Sequence, residues 1–169
     1  MRKQLLIIFL LLATLYFPCK SQIIIKAQTG LSYIEHFSVG ISFEFSEKQN
    51  VSLLFGSNFF VSPNYFSSYM IQYDRCIRRI KFLGIIPKVG LKGGYSVFTD
   101  EYYKWRLIVV SPFIGFNYHI TNKIETYLDL GIAYSREESL KRIKYGEIGS
   151  YKDYLPEIKI GLYFNLNNR

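Results

Sequence analysis

The sequence predicts an all-β chain, an eight-stranded antiparallel up-and-down transmembrane β-barrel, on three observations. Apolar and polar residues alternate with a period of two in eight segments, the signature of strands with one apolar and one polar side. No stretch beyond the N-terminal leader carries helical periodicity. Aromatic residues make up 18% of the chain, as 15 Tyr and 14 Phe against one Trp, and these residues favour strands and collect at membrane interfaces.

The leader comes first. Arg2 and Lys3 precede an apolar run over residues 5–17, broken only by Thr14, and Pro18-Cys19-Lys20-Ser21 follows. This is the charged, apolar and small-residue layout of a secretory signal peptide. The run is shorter than the roughly 20 residues that a spanning helix needs. The expectation is therefore a signal peptide over 1–21 and a barrel domain over 22–169. Cys19 raises the alternative of a lipoprotein signal, but Tyr16, Phe17 and Pro18 match poorly the small residues such a site wants. Loss of Arg2, Lys3 and Lys20 lowers the net charge from +8 to +5. That mild basicity suits anionic lipid head groups, and its spread along the chain forms no nucleic-acid patch. Cys76 is then the only cysteine, which excludes an intrachain disulfide and a cysteine-rich metal site.

The strands follow in order. Residues 23–34 set Ile25, Ala27, Leu31 and Tyr33 opposite Lys26, Gln28, Gly30 and Ser32. Residues 37–46 set Phe37, Val39, Ile41, Phe43 and Phe45 opposite Ser38, Gly40, Ser42, Glu44 and Ser46. Residues 50–59 carry Val51, Leu53, Phe55 and Phe59 on one side. Residues 67–78 oppose Tyr69, Ile71, Tyr73 and Ile77 to Met70, Gln72, Asp74 and Arg78. Residues 85–98 oppose Ile85, Val89, Leu91, Tyr95 and Val97 to Lys88, Gly90, Lys92, Gly94 and Ser96. Residues 105–120 are less regular, since Pro112 interrupts them and both faces are apolar from Leu107 to Val110. Residues 124–134 put Leu128, Leu130, Ile132 and Tyr134 opposite Glu125, Tyr127, Asp129 and Gly131. Residues 157–166 close the series, with Ile158, Ile160, Leu162, Phe164 and Leu166 opposite Glu157, Lys159, Gly161, Tyr163 and Asn165.

The links sort by length. Residues 46–50 and 121–123 are short polar turns, while 60–66, 99–104 and 136–153 are longer, the last being the longest and most charged. Short turns on one rim and longer loops on the other is the pattern of an outer-membrane barrel, and the segments have about the 9–11 residues that a tilted spanning strand requires. Glu35-His36 is the exception, a short link where a long one is expected.

Alternation alone leaves open which face meets solvent. The polar face holds Glu44, Asp74, Arg78, Lys88, Lys92, Glu125, Asp129, Glu157 and Lys159, nearly balanced in sign, as a narrow interior demands when an unpaired buried charge is costly. Eight strands enclose just enough space for their own side chains, so no open pore is expected. The apolar face carries more bulk than such an interior holds without overpacking. Phe37, Phe45, Phe59, Tyr69, Tyr118, Tyr134 and Phe164 lie near strand ends, where aromatic girdles meet the two interfaces.

The leader ending in Ser-Gln, the Gly-Leu and Gly-Ile strand pattern, and the closing Ile160-Gly161-Leu162-Tyr163-Phe164-Asn165-Leu166 resemble small outer-membrane β-barrel proteins of Bacteroidota. More widely, the chain is similar to the eight-stranded class that includes the OmpA membrane domain and OmpX. The resemblance spans the mature chain as a pattern, without a diagnostic motif. It implies the cell outer membrane as location, outer-membrane lipids as neighbours, and a last strand read by the barrel-assembly machinery. Asn167, Asn168 and Arg169 follow that strand, so its terminal aromatic is not at the chain end.

Candidate chemistry is sparse. His36 and His119 fall on separate segments without further ligands at metal spacing, and no Gly-x-Ser-x-Gly elbow occurs. The expectation is therefore no catalytic, cofactor-binding or metal-ligating residues, and no cofactor. His119 lies near one rim with Ser111 along the same strand, which leaves a lipid-modifying enzyme as one alternative. A soluble lipocalin-like barrel binding a small apolar ligand is another. Gly90-x-x-Gly93-Gly94 sits inside a strand and predicts a bend, a bulge or room for a neighbouring Tyr. Arg75, Arg78, Arg79 and Lys81 form the sharpest charge cluster, at a turn, and Cys76 reads as an inert strand residue. The leading expectation is a structural or surface-interaction barrel, presenting the 136–153 loop to a ligand or protein.

Overall fold

The structure is a computed structural model describing residues 22–32, 35–46, 49–57, 67–77, 84–99, 103–142 and 150–166. The leader over 1–21 lies outside the described residues, as do Tyr33, Phe59, Arg78, Arg79, Lys81 and residues 167–169.

Eight strands form: β1 (Gln22–Leu31), β2 (Phe37–Ser46), β3 (Gln49–Ser57), β4 (Ser67–Cys76), β5 (Ile85–Thr99), β6 (Tyr103–His119), β7 (Ile124–Arg142) and β8 (Ser150–Asn165). Each pairs antiparallel with the next, and β8 returns to β1 to close the barrel. Closure gives each strand a hydrogen-bonded neighbour on both sides around the ring, the condition for strands to sit in lipid. The Ile25↔Phe164 and Ala27↔Leu162 pairs at the seam keep apolar residues together on one face, since a one-residue slip would exchange the faces.

One rim carries both strand termini, Gln22 and Asn165, and the turns between β2 and β3, β4 and β5, and β6 and β7. The turn between β6 and β7 is built locally. Ile120 and Thr121 donate backbone bonds to the Ile124 carbonyl at 2.9 and 3.0 Å. The Thr121 hydroxyl oxygen accepts from the backbone N–H groups of Lys123 at 3.2 Å and Ile124 at 3.0 Å. Replacing Thr121 by Ala removes both acceptor contacts at an exposed site, so a loss of about 1 kcal/mol is expected. A denaturant titration of the folded barrel measures it, with an unchanged midpoint showing the hydroxyl to be idle.

The opposite rim is uneven, which differs from the sequence expectation. β1 to β4 end within ten residues, whereas β5 to β8 run for 15 to 19 residues. One half of the wall therefore stands higher than the other. The segment expected as a loop over 136–153 is mostly strand: β7 continues to Arg142, β8 starts at Ser150, and Ser135↔Asp153, Arg136↔Lys152 and Glu137↔Tyr151 pair across it. Both faces turn polar there, so the period of two fades although the backbone ladder continues. The link after β5 likewise contracts to residues 100–102, because β5 and β6 pair up to Thr99↔Lys104.

Candidate functional site: a charged interior within an apolar belt

The alternation resolves in one direction. Apolar side chains point out: Ile41, Leu53, Ile71, Leu91, Ile114 and Ile160 are each about half exposed on the outer face. Phe37, Tyr69, Tyr118 and Phe164 join them at strand ends, as the girdle positions require, and Phe55 meets Tyr69 edge-on at 5.5 Å between centroids. A soluble lipocalin-like barrel needs the apolar face inward, and this chain places it outward. Unsupported by lipid, such a continuous belt far exceeds the patch a soluble monomer exposes.

Polar side chains point in. Lys26, Lys88, Lys92 and Lys159 are buried together with Glu35, Asp74, Asp129 and Glu157, four charges of each sign, and Glu44 is a further buried carboxylate nearer the turn rim. They form two groups. Toward the turn rim, Lys88 pairs with Asp129 at 2.8 Å, and Asn50 donates to Asp74 at 3.0 Å. The rings of Tyr127 and Tyr163 meet beside them, tilted, with centroids 4.6 Å apart, and Tyr127 donates its hydroxyl to Gln28 at 2.8 Å. The ammonium groups of Lys26 and Lys88 lie 4.7 and 4.1 Å from the centre of the Tyr127 ring, where the negative face of an aromatic attracts a desolvated cation.

Nearer the loop rim, Lys92 bonds both Glu157 and Glu35, and Lys159 also pairs with Glu35 at 3.1 Å. Ser32 and Ser111 each donate to Glu157 at 2.6 Å. Glu35 was not among the expected interior charges. By strand parity from Ser38 it would face outward, but the link from β1 to β2 turns into the barrel and buries it completely. Gln28 also donates to it, at 3.4 Å. Glu125, expected inside, instead sits at the turn rim and pairs with His119 at 2.9 Å.

Packing explains the exceptions to the pattern. Leu107 and Val109 turn inward to join Leu54, Met70 and Ala133 in a buried apolar cluster, so both faces of β6 are apolar at that level. Gly90 makes room for a ring, though that of Phe113: a Cβ there would collide with the Phe113 Cζ. Gly161 does the same for Tyr127, whose hydroxyl oxygen occupies the space a Cβ would need. Two polar gaps are small, about 40 Å³ at the turn-rim mouth, lined by Glu44, Asn50, Cys76, Asn117 and His119, and about 10 Å³ between Gln72, Lys92, Phe113 and Glu157. An apolar hollow of about 810 Å³ runs along the β2–β6 wall, lined mostly by outward residues such as Ile41, Leu53 and Ile71 and also by Leu54, Met70 and Val109.

The candidate catalytic pair does not assemble. Ser111 is buried on Glu157, while His119 lies at the turn rim on Glu125, eight positions along one strand and so about 27 Å apart. Among the described residues, no group of three or more His, Cys, Asp or Glu is placed to hold a metal ion. Cys76 is buried beside Asn117, which donates to its sulfur at 3.7 Å. Arg75 is exposed on β4, and the rest of its expected cluster lies outside the described residues.

The raised half of the wall carries its own charges. On its outer face Arg106 and Arg136 both bond Glu138, the latter at 2.7 Å through Nε. The Arg106 hydrogen bond, with the charges of both guanidiniums, holds the Glu138 carboxyl below its usual range. On the inner face, Trp105 and Tyr151 approach to 6.2 Å.

No protein-family profile matches the sequence, and no curated protein matches it. Solved structures do resemble it. The N-terminal β-barrel domain of OprF from Pseudomonas aeruginosa superposes with a TM-score of 0.56 at 13% identity, covering 87% of this chain and 100% of that one. A major outer membrane protein from Thermus thermophilus gives 0.48 at 8% identity, over 87% and 100%. Neisserial surface protein A gives 0.40 at 13%, over 86% and 96%. At 13% identity the likeness to the OprF domain is one of fold, and the fold is the closed eight-stranded antiparallel barrel of outer-membrane proteins.

Proposed function

We propose that the chain is an integral protein of the cell outer membrane, a narrow, non-conducting barrel with a structural or surface-interaction role and no catalytic one. The observation that carries this reading is the direction of the alternation. The outward side chains form an apolar belt bounded by aromatics, and the inward ones form a polar core of four lysines and five carboxylates. Lipid accepts the first, and the second is stabilised by ion pairs from Lys88, Lys92 and Lys159, by hydrogen bonds to Asp74, and by the Tyr127 and Tyr163 rings beneath the Lys26 ammonium.

The absence of a channel is supported by the two polar gaps among the inward charges, each holding at most a few waters, and by the two ion groups and the apolar cluster that cross the lumen. The start of β1 and the end of β8 on the turn rim suit an orientation with that rim in the periplasm and the raised wall outside. In this reading β8, with Ile158, Ile160, Leu162 and Phe164 outward, is the strand presented to the barrel-assembly machinery.

Membrane fractionation tests the assignment, followed by electrophoresis of unheated and boiled samples and by conductance across a planar bilayer. The expected result is an outer-membrane band that shifts on boiling, because a closed ladder has no edge from which to fray, and no steady current. A soluble periplasmic protein without the shift defeats the membrane reading. A steady single-channel current defeats the packed interior.

A further inference from the structure

We propose that the outer face of the raised wall, at Arg106, Arg136 and Lys152, is a binding site for the phosphorylated headgroup of an outer-leaflet lipid. The inference rests on the outer-membrane reading above and adds a ligand class and a place.

The register sets the residues in rows. Ile114, Leu130 and Ile158 lie side by side on β6, β7 and β8, well within the apolar belt. Nearer the loop rim come Val110, Tyr134 and Tyr154, the two tyrosine rings tilted against each other at 5.1 Å between centroids. The next row holds Ile108, Arg136 and Lys152, and the next Arg106, Glu138 and Ser150. All of these positions share the outward parity of their strands. Within a few residues the surface passes from aliphatic to tyrosine to cationic, the order in which a bilayer passes from hydrocarbon to interface to headgroup.

The cationic rows are costly as they stand. Arg136 lies directly opposite Lys152, and like charges in that position destabilise a ladder. The one carboxylate of the group, Glu138, is already held by both guanidiniums, and among the described residues no carboxylate pairs with Lys152. Three cations against one anion leave a double positive excess. Arg136 and Lys152 are exposed, and Arg106 is partly so. A phosphate offers what the patch lacks, an anion with several acceptor oxygens that two guanidiniums and an ammonium can share. A membrane lipid rather than a soluble phosphate is the source that fits, because Ile108, Val110 and Ile132 continue the same face downward as a wall for its acyl chains.

The experiment is native mass spectrometry of the full chain folded in detergent micelles, titrated with lipid A, with dephosphorylated lipid A and with inorganic phosphate. Arg106→Gln, Arg136→Gln and Lys152→Gln are each expected to weaken lipid A binding about fivefold, and the triple variant about a hundredfold. Glu138→Gln, which removes the competing anion, is expected to tighten it. Lys123→Gln, on the opposite rim, leaves it unchanged, and dephosphorylated lipid A binds no better to the wild type than lipid A does to the triple variant. Wild-type affinity in the triple variant overturns the proposal. So does weakening by Glu138→Gln, which makes the four residues a structural ion network, or displacement of lipid A by an equal concentration of phosphate, which makes the site a general anion site. Each variant is run unheated and boiled beside the titration, and should the triple variant fail to fold, Arg136→Gln and Lys152→Gln decide. A wild type that shows no heat shift defeats the outer-membrane reading itself, independently of any lipid count.

Discussion

Lys92→Met is expected to destabilise the folded barrel by about 3–5 kcal/mol, because it removes one partner of a buried charge group and leaves the other unpaired. Lys92 is almost fully buried and bonds two carboxylates from different places in the chain, Glu157 on β8 and Glu35 from the link between β1 and β2. Its stem has nearly the shape of methionine, so the loss reads charge rather than volume. After the substitution Glu35 keeps Lys159, whereas Glu157 keeps only the hydroxyl groups of Ser32 and Ser111. Lys92→Met combined with Glu157→Met leaves three buried charges of each sign in the two groups. The double variant should recover most of the stability, since replacing a whole buried pair by apolar residues of similar size is often neutral. Guanidinium unfolding of barrels folded in phosphatidylcholine vesicles compares the three proteins. Equal midpoints for the wild type and Lys92→Met would mean that the interior is wet enough to solvate a lone carboxylate.

Ile71→Arg tests the other face. Ile71 lies midway along β4, points outward and is 55% exposed. In lipid it sits near the middle of the hydrocarbon, where an arginine costs about 2–4 kcal/mol. On a water-exposed barrel the same change would stay within about 0.5 kcal/mol. The expected result is a large fall in the unfolding midpoint in vesicles, and a smaller one for an arginine placed at the girdle position Tyr69. A flat response along the strand would contradict the membrane position of this belt.

The sequence already showed most of this arrangement, and where it did not the reasons are physical. β2 was readable to its ends, 37–46, because its outer residues are all apolar and its inner ones small or polar. The same contrast identified Asp74, Lys88, Lys92, Asp129, Glu157 and Lys159 as one face, and the barrel buries them all. Beyond the belt the contrast disappears. From Ser135 to Glu138 and from Ser150 to Tyr154 both sides of the strands are polar or exposed, so a ladder that continues looks like a charged loop. The uniformly apolar stretch around Leu107 has the opposite origin, an internal cluster meeting the outer belt across one strand. Glu35 was hidden for a third reason. No periodicity describes a link that leaves the wall and turns inward, and only three-dimensional closure brings it to Lys92 and Lys159. The proposed lipid site was hidden for the same reason as the strand extensions, since it is their register that sets Arg106, Arg136 and Lys152 side by side.

The uneven wall also bears on how the barrel comes to exist. The ladders among β5, β6, β7 and β8 are long and join neighbours in sequence; that of β6 and β7 runs from Tyr103↔Arg142 to His119↔Glu125. The seam is short, from Ile24↔Asn165 to Leu31↔Ile158, and joins the two ends of the domain. Loop-closure entropy is lowest for the first kind of pairing and highest for the second. Assembly thus favours a tall C-terminal sheet that forms early, a low N-terminal sheet added to it, and a ring sealed last where the first and last strands meet.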